Sequence, residues 1–475
     1  MLNHIFKFLR LSSWTRAKLG VWFALASRAQ AFENVGVPSH VISNFYYLSF
    51  EAHKQFVIIM DKTKTNIAYS LVVEIINAAQ IVDFTTEFNM ISYLRFYYKD
   101  NSWILFSGKL NSNVYYKNLE KLYHLYNEIP KSLSTDEFKK NLNKLIKENI
   151  EDLSNLKENI DLFFSDIIKN PLEIFNIYKP IFGITLRNNK QPLKLGIFTI
   201  YHQPTFKHIV ENHVRWNQEW KDTLWLGWSC EYFIHIETKA RDSKKAESIS
   251  EQLFYILELL VYFAKGSIKP DYGIHIITQS KSFQQNSIIF GKGTVSQPSS
   301  MKGSFIPLYL DDPYIQAEVN GNNKIWNFIG NNSLTELEQR LLESMQWLGR
   351  AHYETDTKTK FLEYMIAIES IFSVSEKVLI SPSVASTIVD SLTLLLITDV
   401  NNRLNFEKII KNLYGIRSAI AHGGLKDIDE KSISEISQIA ESAVRIFLYD
   451  EYLSTLKSTQ ELIAYVKKLK YNIPP

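Results

Sequence analysis

Asn412-Leu-Tyr-Gly-Ile-Arg417-Ser418-Ala-Ile-Ala-His422-Gly423-Gly424 reads as the end of a helix that begins near residue 406 and stops at its histidine. The two glycines after it supply the left-handed cap with which many helices end. A cation is favoured where a helix ends, a fitting place for a side chain that moves protons near neutral pH. Ser418 stands four residues before His422 and shares its face. Arg417 stands five before, about 140° round an ideal helix, with a side chain long enough to reach the same cleft. One stretch of helix thus presents an anion-binding guanidinium and an acid/base group. That combination suits cleavage of a phosphodiester by the RNA's own 2′-hydroxyl: the histidine moves protons and the guanidinium steadies charge developing on phosphorus. Taken alone, an arginine and a histidine at this spacing are an ordinary surface residue and an ordinary cap. The surrounding sequence changes that.

Outward from this stretch, the chain reads as helical from residue 333 to the end. Ser333-x-x-Glu336 has the form of a capping box opening a helix to about Ala351. Further helices are expected at roughly 357–374, 382–398, 406–422 and 432–456. A second box, Ser458-x-x-Glu461, opens a last short helix that Pro474 ends. Residues 333–475 are therefore expected to form an all-helical bundle domain. Gly321-Asn-Asn and Gly330-Asn-Asn frame a turn-rich linker before it. Residues 171–325 are rich in β-branched and aromatic side chains, with strands expected at 193–201, 223–237, 272–278 and 287–290 and one helix at about 244–264. They read as an α+β domain. Residues 1–170 mix short buried strands at 56–60 and 103–106 with an apolar segment at 71–79 that fits helix or strand. They close with one charged amphipathic helix over 132–162, striped by Leu142, Leu145, Ile146, Ile150 and Leu153. The fold class expected for the whole is α+β multidomain: mixed α/β N-terminal regions followed by an all-α C-terminal bundle.

Three blocks in order carry a resemblance to a known family: Trp347-Leu-Gly-Arg350-Ala-His352-Tyr353, then Phe361-Leu-Glu-Tyr-Met-Ile-Ala-Ile-Glu369-Ser370-Ile-Phe372, then Leu413 to Gly423. The region 334–450 resembles the HEPN superfamily (higher eukaryotes and prokaryotes nucleotide-binding), in particular its Apea-like branch. The resemblance covers about a quarter of the chain and implies a metal-independent endoribonuclease with no cofactor. Two helical domains would pair about a two-fold axis as a homodimer, placing two Arg/His sets in one composite cleft. RNA would be cut to 2′,3′-cyclic phosphate and 5′-hydroxyl ends. The family's Arg and His fall on Arg417 and His422, and its helix-borne glutamate on Glu369, which would orient one of them. Catalytic relatives often carry Asn, Asp or His after the arginine; here that position is Ser418, given a supporting role. The family also holds inactive dimerisation, nucleotide-binding or partner-binding modules, which is the alternative reading. Apea-like relatives imply an antiviral-defence, abortive-infection or toxin effector, with a phage or cellular trigger sensed by residues 1–330.

Composition sets the outer bounds. The chain has 475 residues, enough for about three domains, with 45% hydrophobic and 22% charged residues, so wholly disordered or low-complexity readings are excluded. Lys plus Arg number 53 against 50 acids, a net charge of +3, which argues against unspecific coating of nucleic acid. One cysteine, Cys230, excludes an internal disulfide and a cysteine-based zinc site, and suits a reducing cytoplasm. Residues 1–32 carry Lys7, Arg10, Arg16, Lys18 and Arg28, but their longest uncharged apolar run is Leu19 to Ala26, far short of a membrane span. A docked amphipathic helix is the simpler reading there, and a membrane partner is not expected. Trp216, Trp220, Trp225 and Trp228, with Arg215 and Lys221, fit core or base-stacking roles. His202, His208 and His213 lack the spacing of helical zinc ligands, and His235 and His275 read as core histidines. Gly291-Lys-Gly-Thr294 fails the phosphate-loop pattern and reads as a turn. Glu363 competes with Glu369 as the inward acid, and Arg350 and His352 fit either the cleft or the core.

Overall fold

The computed structural model describes residues 62–83, 94–100, 102–188, 191–213, 231–266, 307–373, 384–423 and 427–473, with four short strands between 285 and 300. The expected N-terminal basic helix, the strand at 56–60, the four tryptophans of 216–228, Cys230 and His275 lie outside the described residues. Two compact units form: Met1–Glu173 with Lys239–Lys245, and Ile174–Thr238 with Ala246–Pro475.

In the first unit, helix α1 (62–77) buries Ala68, Leu71, Val72, Ile75 and Ile76, a three- and four-residue spacing that settles the ambiguous apolar segment as helix. A three-stranded antiparallel sheet follows, with β3 (Ser102–Phe106) between β1 (Gln80–Asp83) and β2 (Leu94–Tyr97). Helices α2 (Gly108–Tyr123), α3 (Glu128–Ser132), α4 (Thr135–Asn149) and α5 (Leu156–Lys169) complete the unit. The single helix expected over 132–162 is thus two. Ser134 caps α4, its hydroxyl accepting from the Glu137 amide at 3.2 Å. Between the helices, Asp152 accepts from the Ser154 amide (2.9 Å) and hydroxyl (2.8 Å), a side-chain turn that breaks the run. Ile150 and Leu153 still pack on the core from the connector, so the apolar stripe passes through a break in the backbone.

The second unit holds a four-stranded sheet in the order β4 (Glu173–Ile181), β8 (Tyr232–Ala240), β7 (Phe198–His202), β6 (Leu193–Leu195). The strand expected over 193–201 is a hairpin, β6 antiparallel to β7. Strand β5 (Ile184–Thr185) pairs in parallel with β13 (Leu308–Tyr309). The short strands β9 (Gln285–Asn286) to β12 (Ser299–Ser300) pair among themselves, with Gly291 opposite Thr294 in an antiparallel pair. Helices α6 (Gln203–His213) and α7 (Ser243–Lys265) belong to this strand-rich part, and α8 (Asn322–Ile325) follows it. The helical part is α9 (Glu336–Tyr353), α10 (Thr357–Phe372), α11 (Val384–Leu396), α12 (Val400–Ala421), α13 (Glu430–Tyr449) and α14 (Thr459–Lys470). Among the described residues, no helix is long and apolar enough to cross a membrane.

The expected boundary at 321–333 meets a different arrangement: one continuous core runs from Ile181 through Trp326 to Val466. The stretch read as a turn-rich linker buries Ile325, Trp326 and Ile329. Asn322, fully buried, donates to the Tyr314 carbonyl at 2.8 Å. The closest junction is at Gly349 of α9, where an added Cβ would stand 2.0 Å from the Leu259 carbonyl oxygen of α7. Only glycine lets those two backbones meet.

Two helix starts also differ from expectation. The capping box of α9 is Thr335 and Glu338: the Thr335 hydroxyl accepts from the Glu338 amide (3.3 Å) and the Glu338 carboxylate accepts from the Thr335 amide (2.7 Å). Ser333 is unavailable, since its amide and hydroxyl both donate to Asn331 Oδ1. Helix α12 starts at Val400, six residues early, on an Asp399 cap that accepts from the Asn401 amide at 3.0 Å. Val400 and Leu404 are exposed, so the first turn shows no inward apolar signal. Conversely α13 stops at Tyr449, ahead of the expected 456.

Gly349→Ala is expected to destabilise the protein by about 1–3 kcal/mol, because the two helix backbones must separate. Gly415→Ala, in a helix with nothing within 4 Å of its added Cβ, should instead raise stability, by up to about 1 kcal/mol. Paired urea titrations check both signs.

Candidate functional site

Helix α10 starts on an Asp356 cap that accepts from the Thr359 amide at 2.8 Å, and it turns Phe361, Tyr364, Met365, Ile368 and Ile371 into the core. Glu369 lies at the edge of that buried face. Helix α12 brings Arg417 against it as a fork: Nε to Oε1 at 3.1 Å and Nη2 to Oε2 at 3.2 Å. Two parallel contacts fix the plane of the guanidinium, which a single contact would leave free to swing. The side chains are 40% exposed for Arg417 and 20% for Glu369, so the pair is open to solvent on one side. Three of the five guanidinium N–H groups stay outside the fork and can meet an anion.

One turn before Arg417, Tyr414 places its hydroxyl in a buried spot with no hydrogen-bond partner. Burial pushes that phenol up, the Glu369 charge adds to the rise and the Arg417 charge opposes it, so the hydroxyl lies in the field of both. No motif marks Tyr414, and the only sequence signal for it is its position three residues before the arginine.

His422 is the C-terminal cap of α12, with its amide donating to the Ser418 carbonyl at 3.1 Å. Gly423 follows at φ +71°, so the expected glycine cap is present. The His422 and Ser418 side chains are exposed, and among the described residues neither is hydrogen-bonded. Along the axis His422 lies about 7.5 Å beyond Arg417 at 1.5 Å per residue. Of the four candidate residues, the structure joins Arg417 to Glu369 and leaves Ser418 and His422 at the open helix end, linked to each other through backbone alone.

The competing acid, Glu363, is the buried one. Its nearest cation is Arg350, at 3.8 Å, and its Oε2 has no hydrogen bond. Arg350 instead donates to the Tyr255 hydroxyl at 2.7 Å and lies over the Trp347 ring. Burial pushes the Glu363 carboxyl up to about 7, against the pull of Arg350. His352 is also interior: its Nδ1 and the Tyr364 hydroxyl share a hydrogen bond at 3.1 Å, and Nε2, 3.3 Å from Glu441 Oε1, makes no hydrogen bond among the described residues. Burial first, then the Arg445 and Lys360 charges, take it down to about 3, so its ring is neutral. His352 therefore serves the helical core rather than the Arg417 site, and Arg350, half-exposed, is engaged by Tyr255 and Trp347 instead. His235, expected in the core, is half-buried, stacked on Tyr178 at 4.4 Å and within 2.9 Å of Asn176 Oδ1. His202 lies 3.7 Å from Glu231, and no group of three metal-ligating side chains occurs among the described residues.

No protein-family model, curated protein or solved structure matches the chain.

The Glu363 shift has a pH consequence. A carboxyl that resists ionisation when folded costs nothing while both states are protonated. Its penalty grows as pH rises from about 4.5, its ordinary value, to about 7. Glu363→Gln is expected to gain stability over the parent progressively across that window and to match it below it. His352 works in the opposite sense: its neutral folded form loses stability as pH falls from 6.5 toward about 3. Urea midpoints from pH 4 to 8 for parent and Glu363→Gln check the slope, and parallel curves would remove the assignment.

Proposed function

We propose that the C-terminal helical region is a metal-independent endoribonuclease of HEPN type, acting as a cytoplasmic homodimer in antiviral defence or as a toxin, under control of the N-terminal region. The observation that carries this reading is the forked Arg417–Glu369 pair, two residues 48 apart in sequence that the resemblance assigned to one site. In the proposed reaction the 2′-oxygen attacks phosphorus and loses its proton, and the 5′-oxygen leaves and gains one. His422 is the proton carrier, solvent-facing at the helix end where a substrate can reach it. Arg417 holds the non-bridging oxygens with the donors outside its fork, and Glu369 sets the plane of the guanidinium. Ser418, one residue beyond, offers a hydroxyl to the same phosphate. A second copy would bring a second Arg/His set to the cleft.

The alternative is a catalytically inactive HEPN module that dimerises and binds a nucleotide or partner. One observation favours it: Glu369 spends both oxygens on Arg417, so His422 has no carboxylate among the described residues to fix its ring. The two readings part in one assay. Purified protein with cellular RNA in EDTA is expected to give 2′,3′-cyclic phosphate and 5′-hydroxyl ends. His422→Ala should lower the rate by about 10²–10⁴-fold, and Arg417→Ala comparably. Undiminished cleavage by both variants, or its loss in EDTA, would sink the ribonuclease reading. Retention of the biological phenotype by both variants would establish the binding module.

A further inference from the structure

The first unit carries a cationic aromatic face that the Arg417 site does not use. Strand β2 turns Leu94 and Phe96 to the core and Arg95 and Tyr97 outward. Tyr97 is paired directly with Trp103 of β3, their rings edge-to-face at 6.0 Å, and the Arg95 guanidinium lies 5.0 Å over the Trp103 ring. Helix α4 borders the same aromatics: Lys147 lies 6.0 Å from the Tyr97 ring and 5.8 Å from that of Phe96. Two turns earlier on α4, Lys139 lies 5.3 Å from the Tyr116 ring of α2. Eight residues separate the two lysines, about 12 Å at 1.5 Å per residue. Beneath the surface the rings of Phe96, Phe106, Tyr115 and Tyr116 are neighbours at 6.1, 5.0 and 5.4 Å, with Phe106 and Tyr115 fully buried, so the two ends are joined through the core.

Two properties separate this face from an ordinary solvated surface. Tyr97 is 51% and Tyr116 48% exposed, which keeps large ring area in water with no apolar cover. Arg95, Lys139 and Lys147 are within ion-pair distance of no carboxylate among the described residues, whereas neighbouring Lys99 is held by Glu151 at 2.8 Å. Two exposed rings, Tyr97 beside Arg95 and Lys147 and Tyr116 beside Lys139, each with cations that no carboxylate pairs, match flat bases joined by phosphates. A duplex hides its base faces and does not fit.

We propose that this face binds single-stranded nucleic acid, with bases stacked on Tyr97 and Tyr116 and phosphates held by Lys139, Lys147 and Arg95. The choice of RNA as the natural strand rests on the ribonuclease reading; the stacking and charge argument does not.

The test uses the full chain in an Arg417→Ala/His422→Ala background, so that nothing is cut and the other site adds little, and reads fluorescence anisotropy of a labelled uridine 12-mer. Tyr97→Ala is expected to weaken binding about 5- to 150-fold, the value of one stacked base, while Tyr97→Phe keeps it. Lys139→Glu/Lys147→Glu should weaken binding further and flatten the salt dependence by roughly 0.7 per lysine. Matching thermal melts exclude misfolding, and the lysine pair, on a helix surface, is the variant to read if Tyr97→Ala fails to fold. The same strand as DNA separates a sugar-blind face from an RNA-specific one, and binding of either supports the proposal. Absence of binding, equal binding of an abasic strand or a duplex, or indifference to all these variants would overturn it. Cleavage that persists with binding unchanged removes this face alone, whereas binding through it by a chain that never cleaves removes the ribonuclease reading alone.

Discussion

The carbonyl of Leu259 stands where a side chain on residue 349 would begin, 2.0 Å from the site of a Cβ. Backbones of α7 and α9 meet there without intervening side chains. The contact lies within the one core that the sheet-bearing segment and the C-terminal helices share. Helix α9 buries Leu341, Met345 and Leu348 in that core, and α10 supplies Phe361, Tyr364, Met365 and Ile368 to it. Glu369 belongs to α10, so its place beside Arg417 is set by packing that begins at a glycine distant in sequence. Arg445 of α13 reinforces the junction, donating to the Phe263 carbonyl of α7 (3.2 Å) and to Asn322 Oδ1 (3.0 Å).

Charge inside this unit follows depth. Burial acts against charge on the deep titratable groups: His352 is kept neutral among Tyr364, Glu441 and Arg445, and the Glu363 carboxyl is raised to about 7 by a desolvation that Arg350 at 3.8 Å does not offset. Burial likewise pushes Glu441 up, with Arg445 pulling against it. Nearer the surface the solution changes, and Glu369 with Arg417 remain an ion pair in close fork geometry. A buried pair repays its desolvation poorly, whereas a half-exposed one keeps its charge available to a ligand. Charge is therefore retained at the edge of the helical core, while the interior acids and histidine, though equally prominent in sequence, have it opposed by their environment.

Much of this was legible in the sequence, and the failures have physical causes. The α10 helix followed from periodicity, while the placing of Glu369 beside Arg417 or His422 was implied by the family resemblance alone. Glycine after His422 gave the helix end. The start of α12 was hidden because Val400 and Leu404 face solvent, so apolar spacing carried no signal and only the Asp399 cap marked it. The break between α4 and α5 was hidden for the opposite reason, as Ile150 and Leu153 continue the apolar stripe from a non-helical connector. At 321–333, glycines and asparagines read as a linker, while Ile325, Trp326 and Ile329 between them were core residues too sparse to show a period. Tyr414 is silent in sequence because nothing local distinguishes a tyrosine under an ion pair from a tyrosine in a core.

A net charge of +3 over 475 residues says little about such a chain, because the relevant quantity is which cations keep their field. Arg417 does not keep its own: Glu369 cancels it at a distance and leaves directional donors, which suits recognition of one phosphate in one orientation. Lys139 and Lys147 rest on ring faces, which attract a cation without cancelling it, so their field extends into solvent. The first arrangement is short-ranged and weakly sensitive to salt; the second is long-ranged and strongly screened, with a reach of about 8 Å at physiological ionic strength. Neither arrangement requires the protein as a whole to be basic.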